Sequence, residues 1–291
     1  MCARAKQTRR IGWIGLGTMG LPMALRLADK SGCAVYGCDI VPAAMDAFAS
    51  MGGIPEPDSA ALLENSDVVF LSLPGNELVQ ETLTDAVRRC RRGTVVVDTS
   101  SSLPAVIQSC AAQAAARGVE LIDCPVSGGA EAAAEGRLSA MCGGSETALA
   151  RVSPLLACFA ARVTHIGSLG SGYAAKLINN LIVGGEITLI AEALGLARKA
   201  GLDMARLLEA LSGGAASSPV LSLKGGRMIS GDYTPSSRVL IHLKDQRNAQ
   251  ELARALGAAI PACDLSTALL GQLADMGRGG EDVAAVIDLF A

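Results

Sequence analysis

Six residues near the start of the chain, Gly15-Leu16-Gly17-Thr18-Met19-Gly20, restrict its fold more than any other segment. They form a G-x-G-x-x-G pattern that follows a short apolar run, Ile11 to Leu16, and opens a stretch of helical spacing from Met19 to Lys30. In a strand–turn–helix unit the first glycine permits the tight turn. The second lets the backbone approach a pyrophosphate, and the third lets the helix pack close on the strand. The free N–H groups at the helix start then face the anion. Alone, such a pattern is weak. Here a second apolar run, Cys33 to Ile40, carries Asp39 nineteen residues past Gly20, where a carboxylate accepts hydrogen bonds from an adenosine ribose. A carboxylate repels a 2′-phosphate, and Ile40 and Val41 supply no arginine, so the reading is NAD in preference to NADP, with NADP still possible.

The alternation continues. Val68 to Leu73, closed by Pro74, and Thr94 to Val97, followed by Asp98, are unbroken apolar runs of the kind found in buried parallel strands. Pro104 to Arg117 is an alanine-rich helix with proline in its first turn, and Val119 to Ile122 is a further strand. After about Gly172 strand signals fade. Tyr173 to Gly201 reads as one long helix, apolar nearly all round and therefore expected to be buried, with Gly184-Gly185 and Gly195 as close-packing points. Helices follow at Met204 to Leu211, Val239 to Leu256 and Ser266 to Met276, punctuated by Gly213-Gly214, Gly225-Gly226 and Gly279-Gly280. The expected organisation is an α/β Rossmann-type, doubly wound parallel sheet over residues 1–166, followed by an all-helical domain over residues 167–291.

Composition removes several function classes. A net charge of −3 without a dense Lys/Arg stripe gives no footprint for nucleic acid, and 3% aromatics leave few stacking platforms. Nine cysteines without a C-x-x-C pair read as reduced, space-filling thiols of a cytoplasmic protein. Two histidines, far apart, and no Cys/His cluster argue against a metal site. Arg4, Lys6, Arg9 and Arg10 before an apolar run imitate a signal peptide, but the meaningful glycine spacing and the polar Arg26, Asp29 and Lys30 reject that reading. No uninterrupted apolar stretch is expected to span a membrane.

Three further segments carry candidate chemistry. Ser127-Gly128-Gly129 follows a strand ending at Asp123, where consecutive small residues can present backbone N–H groups to a carboxylate. Lys176 sits on the apolar helix. A buried lysine is rare unless paired or used, and desolvation would bring its pKa toward that of a general acid/base. A snorkelling helix-end lysine is the alternative. Asn180, one turn on, shares its face. Lys244-Asp245, read alone, is a surface ion pair, and Ser217 and Ser218 are either an ordinary polar loop or face a polyhydroxylated substrate.

Together these segments resemble the β-hydroxyacid dehydrogenase family, which includes 3-hydroxyisobutyrate dehydrogenases, tartronate semialdehyde reductases and succinic semialdehyde reductases. The resemblance runs from Ile11 to Phe290. It passes through Gly15 to Gly20, Asp98-Thr99-Ser100-Ser101 with Pro104, and Asp123 with Pro125 to Gly129. It continues at Gly136, Met141 and Gly143-Gly144, then at Gly170 to Asn180, and ends with Lys244-Asp245. It implies hydride transfer between NAD(P) and a small 3-hydroxy acid or semialdehyde. Gly15, Leu16, Gly17, Met19 and Gly20 would hold the pyrophosphate, and Asp39 the ribose. Leu73, Pro74 and Ser101 would line the nicotinamide side, and Ser127, Gly128 and Gly129 would bind the substrate carboxylate. Lys176 would be the general acid/base, and Asn180 would orient the substrate. Lys244 would close on cofactor or substrate, supported by Asp245. The family also implies a homodimer or homotetramer formed through the helical domain. Cys124, Ala132 and Gln246 depart from the common alanine, glycine and leucine without removing a chemical group. A non-catalytic nucleotide sensor or scaffold on the same fold is a competing reading. So is a dehydrogenase of a larger sugar acid such as 6-phosphogluconate, against which the short chain speaks. Gly231 to Pro235 and Ile241 to Asp245 resemble bacterial members acting on tartronate semialdehyde or threonate-like acids.

Overall fold

A computed structural model describes residues 9–290; Arg4 and Lys6 of the signal-like segment lie outside them. The chain forms two compact units, one through Lys176 and one from Leu177. In the first, β1 (Arg10–Ile14), β2 (Ala34–Cys38), β3 (Ile54–Pro55), β4 (Val68–Leu71), β5 (Val95–Asp98) and β6 (Glu120–Asp123) run parallel in the order β3-β2-β1-β4-β5-β6. Every residue of β4 and β5 is buried, which is why their sequences are apolar without alternation. Helices α1 (Gly20–Lys30), α2 (Pro42–Ser50), α3 (Ser59–Asn65), α4 (Asn76–Arg89) and α5 (Pro104–Arg117) connect them. Successive strand side chains feed two separate cores. Trp13 and Phe70 stack at 5.0 Å in one core, with Phe159 edge-on to both. Val69 and Leu71 join Leu63, Val79 and Leu83 in the other. The strand order reverses between β1 and β4, the switch point outside which doubly wound sheets bind ligands.

The sheet is mixed rather than wholly parallel. Beyond β6 come β7 (Val126–Ser127), α6 (Gly129–Glu135), β8 (Leu138–Gly144), α7 (Glu146–Leu156) and β9 (Ala160–Gly167). β8 runs antiparallel to β6 and β7, and β9 is parallel to β8. Only residues 128–137 separate β7 from β8, too short a link for the crossover that parallel neighbours require.

The second unit is helical: α8 (Ser171–Lys199), whose first turns belong to the first unit, then α9 (Met204–Ser212), α10 (Pro219–Ser230), α11 (Val239–Leu256), α12 (Pro261–Asp275) and a 3₁₀ segment, Val283–Phe290. Ile187, Ala191, Leu194, Leu243, Leu270 and Val286 lie in its core. The packing role expected of two α8 glycines holds. A Cβ on Gly184 would lie 2.2 Å from Gln246 Nε2, and one on Gly195 would lie 2.7 Å from Phe290 Cβ; at Gly185 it would meet nothing. A buried ion pair, Lys224 Nζ to Asp282 at 2.8 and 2.9 Å, ties α10 to the chain end.

The expectation that α8 is buried all round is corrected. Ile178, Ile182, Leu189 and Leu196 are each more than half exposed. Their spacing of four, seven and seven residues puts them on one stripe of the helix, opposite a buried side that includes Ile187, Ala191 and Leu194. By length and mean hydropathy alone α8 could cross a membrane, but Lys176, Asn179, Asn180, Glu186 and Glu192 interrupt its apolar sequence, and Ile187, Ala191 and Leu194 pack in the second core.

Candidate active site

The first unit assembles its candidate residues at the carboxyl ends of the parallel strands. Gly15 follows β1 with φ +95°, and a Cβ there would lie 2.2 Å from the Ser72 carbonyl oxygen. Gly20 opens α1, and a Cβ there would lie 1.9 Å from the Gly15 carbonyl oxygen. The protein's own backbone therefore demands both glycines. Gly17 differs: it is exposed, its φ is not positive, and a Cβ would meet nothing within 4 Å. Among the described residues nothing requires glycine at 17, and bare, exposed backbone at the start of a helix is the kind of surface a pyrophosphate fits.

Asp39, just past β2, touches the same loop. Its Oδ2 accepts the Leu16 N–H at 2.6 Å and its Oδ1 accepts the Val41 N–H at 2.8 Å. Met19 is half-buried at the start of α1. Ile40, beside Asp39, is 96% exposed. Across the switch point, the Leu73 N–H donates to Ser100 Oγ at 2.8 Å, joining the loop after β4, which carries exposed Pro74, to the loop after β5, which carries half-buried Ser101. Ser127 ends β7 in register with Ser139, and exposed Gly128 and Gly129 follow with φ +137° and +78°. Those backbone angles disfavour side chains at the turn.

Two carboxylates that close neighbouring strands, Asp98 of β5 and Asp123 of β6, are paired in register and fully buried. Asp123 Oδ1 accepts the Gly170 N–H at 2.7 Å and its Oδ2 the Tyr173 N–H at 2.8 Å. Asp98 Oδ1 accepts the Ser100 N–H at 2.8 Å and its Oδ2 the Tyr173 hydroxyl at 2.5 Å. Burial pushes both carboxyls up from their ordinary values, opposed by these hydrogen bonds. Burial and the neighbouring Asp98 push the Tyr173 phenol well up, so tyrosine is the donor. The free N–H groups at the start of α8 are thus met by a carboxylate, which the helix dipole favours. Lys176 stands three residues beyond Tyr173 and is half-buried rather than buried as the sequence suggested. Sequence reasoning passed over Tyr173; an acidic residue ending each of two buried apolar strands was the available signal.

In the second unit, Asn180 Nδ2 donates to Asp245 Oδ2 at 2.7 Å, and Asp245 Oδ1 lies 3.0 Å from Lys244 Nζ. Lys244-Asp245 is therefore no ordinary surface pair, because Asp245 is buried and bridges Lys244 to Asn180. Gln246 is fully buried, donating from Nε2 to the Asn180 carbonyl at 2.6 Å and accepting the Cys263 thiol at 2.9 Å. This departure from leucine braces the same segment of α8. Ser218 caps α10 by accepting the Leu221 N–H at 3.1 Å, which gives that hydroxyl a structural use.

The family described as the NAD binding domain of 6-phosphogluconate dehydrogenase matches residues 10–167, and that described as NAD-binding of NADP-dependent 3-hydroxyisobutyrate dehydrogenase matches residues 170–290. The chain is 35% identical over 281 residues to the 2-hydroxy-3-oxopropionate reductase of Escherichia coli (strain K12), covering 96% of each. It is 33% identical over 285 residues to the 2-(hydroxymethyl)glutarate dehydrogenase of Eubacterium barkeri, covering 97% of this chain and 94% of that one. The solved structure of Mycobacterium tuberculosis 3-hydroxyisobutyrate dehydrogenase with L-serine superposes with a TM-score of 0.89 at 29% identity, covering 97% and 99%. The chain belongs to the β-hydroxyacid dehydrogenase family. It is an NAD(P)-dependent oxidoreductase acting on a small hydroxy acid or semialdehyde.

Proposed function

We propose that the chain interconverts a 3-hydroxy acid and its semialdehyde, preferring NAD(H), with Lys176 moving the proton. The observation that carries this reading is the anchoring of the Lys176 helix: Asp123 and Asp98, at the carboxyl ends of β6 and β5, hold Tyr173 one turn before the lysine. That is the same sheet edge from which the glycine loop and the Leu73–Ser100 pair project. The compounds named in the relatives, 2-hydroxy-3-oxopropionate, 2-(hydroxymethyl)glutarate and 3-hydroxyisobutyrate, share a carboxylate two bonds from the reacting carbon. A substrate of that shape suits a carboxylate at Ser127, Gly128 and Gly129 and a reacting oxygen at Lys176 Nζ.

Bound nicotinamide supplies the hydride chemistry. In reduction, protonated Lys176 gives its proton to the carbonyl oxygen; in oxidation, the neutral amine takes the hydroxyl proton. Such proton transfer contributes about 10²–10⁴-fold. Asn180, held by Asp245, orients the substrate oxygen, and Lys244 adds positive charge beside Asp245. Gly15, Leu16, Gly17, Met19 and Gly20 cradle the pyrophosphate, with Leu73, Pro74 and Ser101 on the nicotinamide side. Asp39 supports NAD over NADP because its carboxylate disfavours a 2′-phosphate.

The exposed stripe Ile178, Ile182, Leu189 and Leu196 supports assembly into a homodimer or homotetramer. Leu189→Glu should then lower the mass found by sedimentation, and an unchanged mass would remove the stripe from that role. The catalytic reading is tested by oxidation of NADH and NADPH against a panel of 3-oxo acids that includes 2-hydroxy-3-oxopropionate. Turnover with NADH at a kcat/KM at least tenfold above that with NADPH supports it. NADH binding without turnover of any 3-oxo acid refutes the substrate class, and a preference for NADPH refutes the role given to Asp39.

A further inference from the structure

We propose that Tyr173 is a positioning residue for Lys176, fixing the rotation of α8 relative to the nicotinamide-side loop. This rests on the role proposed above for Lys176. Tyr173 is fully buried and held at two points: its N–H donates to Asp123 Oδ2 at 2.8 Å and its hydroxyl to Asp98 Oδ2 at 2.5 Å. The backbone bond fixes the height of the helix start. The hydroxyl bond, made at the far end of a rigid ring, fixes its azimuth, which a single attachment point leaves loose. Asp98 also accepts the Ser100 N–H at 2.8 Å, and Ser100 Oγ accepts the Leu73 N–H at 2.8 Å. One buried carboxylate thereby references both the loop after β4 and the helix bearing the lysine.

Two buried carboxylates at adjacent strand ends are costly to desolvate, and apolar residues would pack there without that cost. Their common grip on one tyrosine gives the expense a purpose. A Cβ on Gly172 would lie 2.3 Å from the Met141 carbonyl oxygen and one on Gly143 would lie 2.5 Å from Asp123 Oδ1, so the helix start is pressed against the sheet with no slack. The consequence of losing the hydroxyl follows from geometry. A rotation of about 10° at a side-chain radius of about 6 Å moves a helical side-chain tip by about 1 Å. Misplacement of that size costs about 10²-fold in rate.

The test is a double-mutant cycle on the full-length enzyme, with single-turnover reduction of the best aldehyde and NADH binding measured for wild type, Tyr173→Phe, Lys176→Ala and the double variant. Tyr173→Phe keeps the ring and deletes only the hydroxyl. The expected result is a 10- to 100-fold lower rate with NADH affinity within twofold of wild type, and less than a twofold further loss when the same change is made in Lys176→Ala. An equal loss in both backgrounds, or a wild-type rate in Tyr173→Phe, overturns the proposal. A Lys176→Ala variant with near wild-type rate would instead bring down the role of the lysine, and the two failures are read from different corners of the cycle. If Tyr173→Phe does not fold, Asp98→Asn replaces it in the same cycle. It weakens the acceptor of the same hydroxyl and must show the same suppression by Lys176→Ala, or the proposal falls.

Discussion

The three loop glycines differ in what surrounds them, and that difference makes a quantitative prediction. At Gly20 a methyl group would sit 1.9 Å from the backbone oxygen of Gly15, and no rotamer change relieves a backbone clash. Overpacking costs about 1–3 kcal/mol, and an obstacle of this kind belongs at the top of that range. At about 2–4 °C per kcal/mol for a unit of this size, Gly20→Ala should lower the Tm by roughly 6–12 °C. At Gly17 the same methyl meets nothing within 4 Å and φ needs no glycine. Gly17→Ala should therefore melt with wild type or slightly above it, since restricting the unfolded chain contributes about 0.4–1 kcal/mol. The methyl would, however, stand where the pyrophosphate approaches, and NADH affinity should fall about 10- to 100-fold, or about 1.4–2.8 kcal/mol. Thermal melts of the cofactor-free proteins and calorimetric titration with NADH measure both quantities. Wild-type NADH affinity in Gly17→Ala would refute the cradle, and an unchanged Tm in Gly20→Ala would refute the packing argument.

Two further outcomes follow from the site and its scaffold. Ile40 is 96% exposed next to Asp39, so Ile40→Arg should leave the Tm unchanged while raising NADPH affinity about tenfold or more relative to NADH, read by fluorescence titration; no change would place the 2′-phosphate elsewhere. Burial opposes ionisation of Asp282, but bonds from Lys224, Ser236 and the Ala284 and Ser237 N–H groups hold its carboxyl well below the usual carboxylate range. A depressed pKa contributes stability that is present above the unfolded value, about 3.9, and is lost as pH falls through the folded value. Asp282→Asn should thus cost about 3 kcal/mol or more at pH 7 by stranding buried Lys224, and its deficit against wild type in denaturant melts should shrink below about pH 4. A deficit independent of pH would show that the charge contributes nothing.

The doubly wound half was legible because its strands are unbroken apolar runs and its glycines and acids stand at strand ends, where spacing carries meaning. The last strands were not. Most residues of β9 are exposed or half-buried, and β8 ends in Cys142-Gly143-Gly144, so neither shows a run or a clean alternation. Helix α10 was hidden by Gly225-Gly226, which reads as a break; a Cβ on Gly225 would lie 2.7 Å from Leu208 Cδ1, so this glycine is a point of close packing inside a helix. The apolar sequence of α8 promised complete burial because composition cannot tell a core face from a face left exposed. Lys176 and Asn180 were legible as a pair one turn apart. The contacts that brace them were not, because Asp98 and Asp123 reach Tyr173, and Asp245 and Gln246 reach Asn180, from strands and a helix distant in sequence.

In the proposed reaction Lys176 transfers the proton and takes no part in holding the cofactor. The most direct measurement is the single-turnover rate of NADH oxidation by Lys176→Ala at saturating aldehyde, with NADH binding measured on the same preparation. The expected result is a rate about 10²–10⁴-fold below wild type with NADH affinity essentially unchanged. A rate within a few fold of wild type would contradict it, and would move the proton transfer to another group.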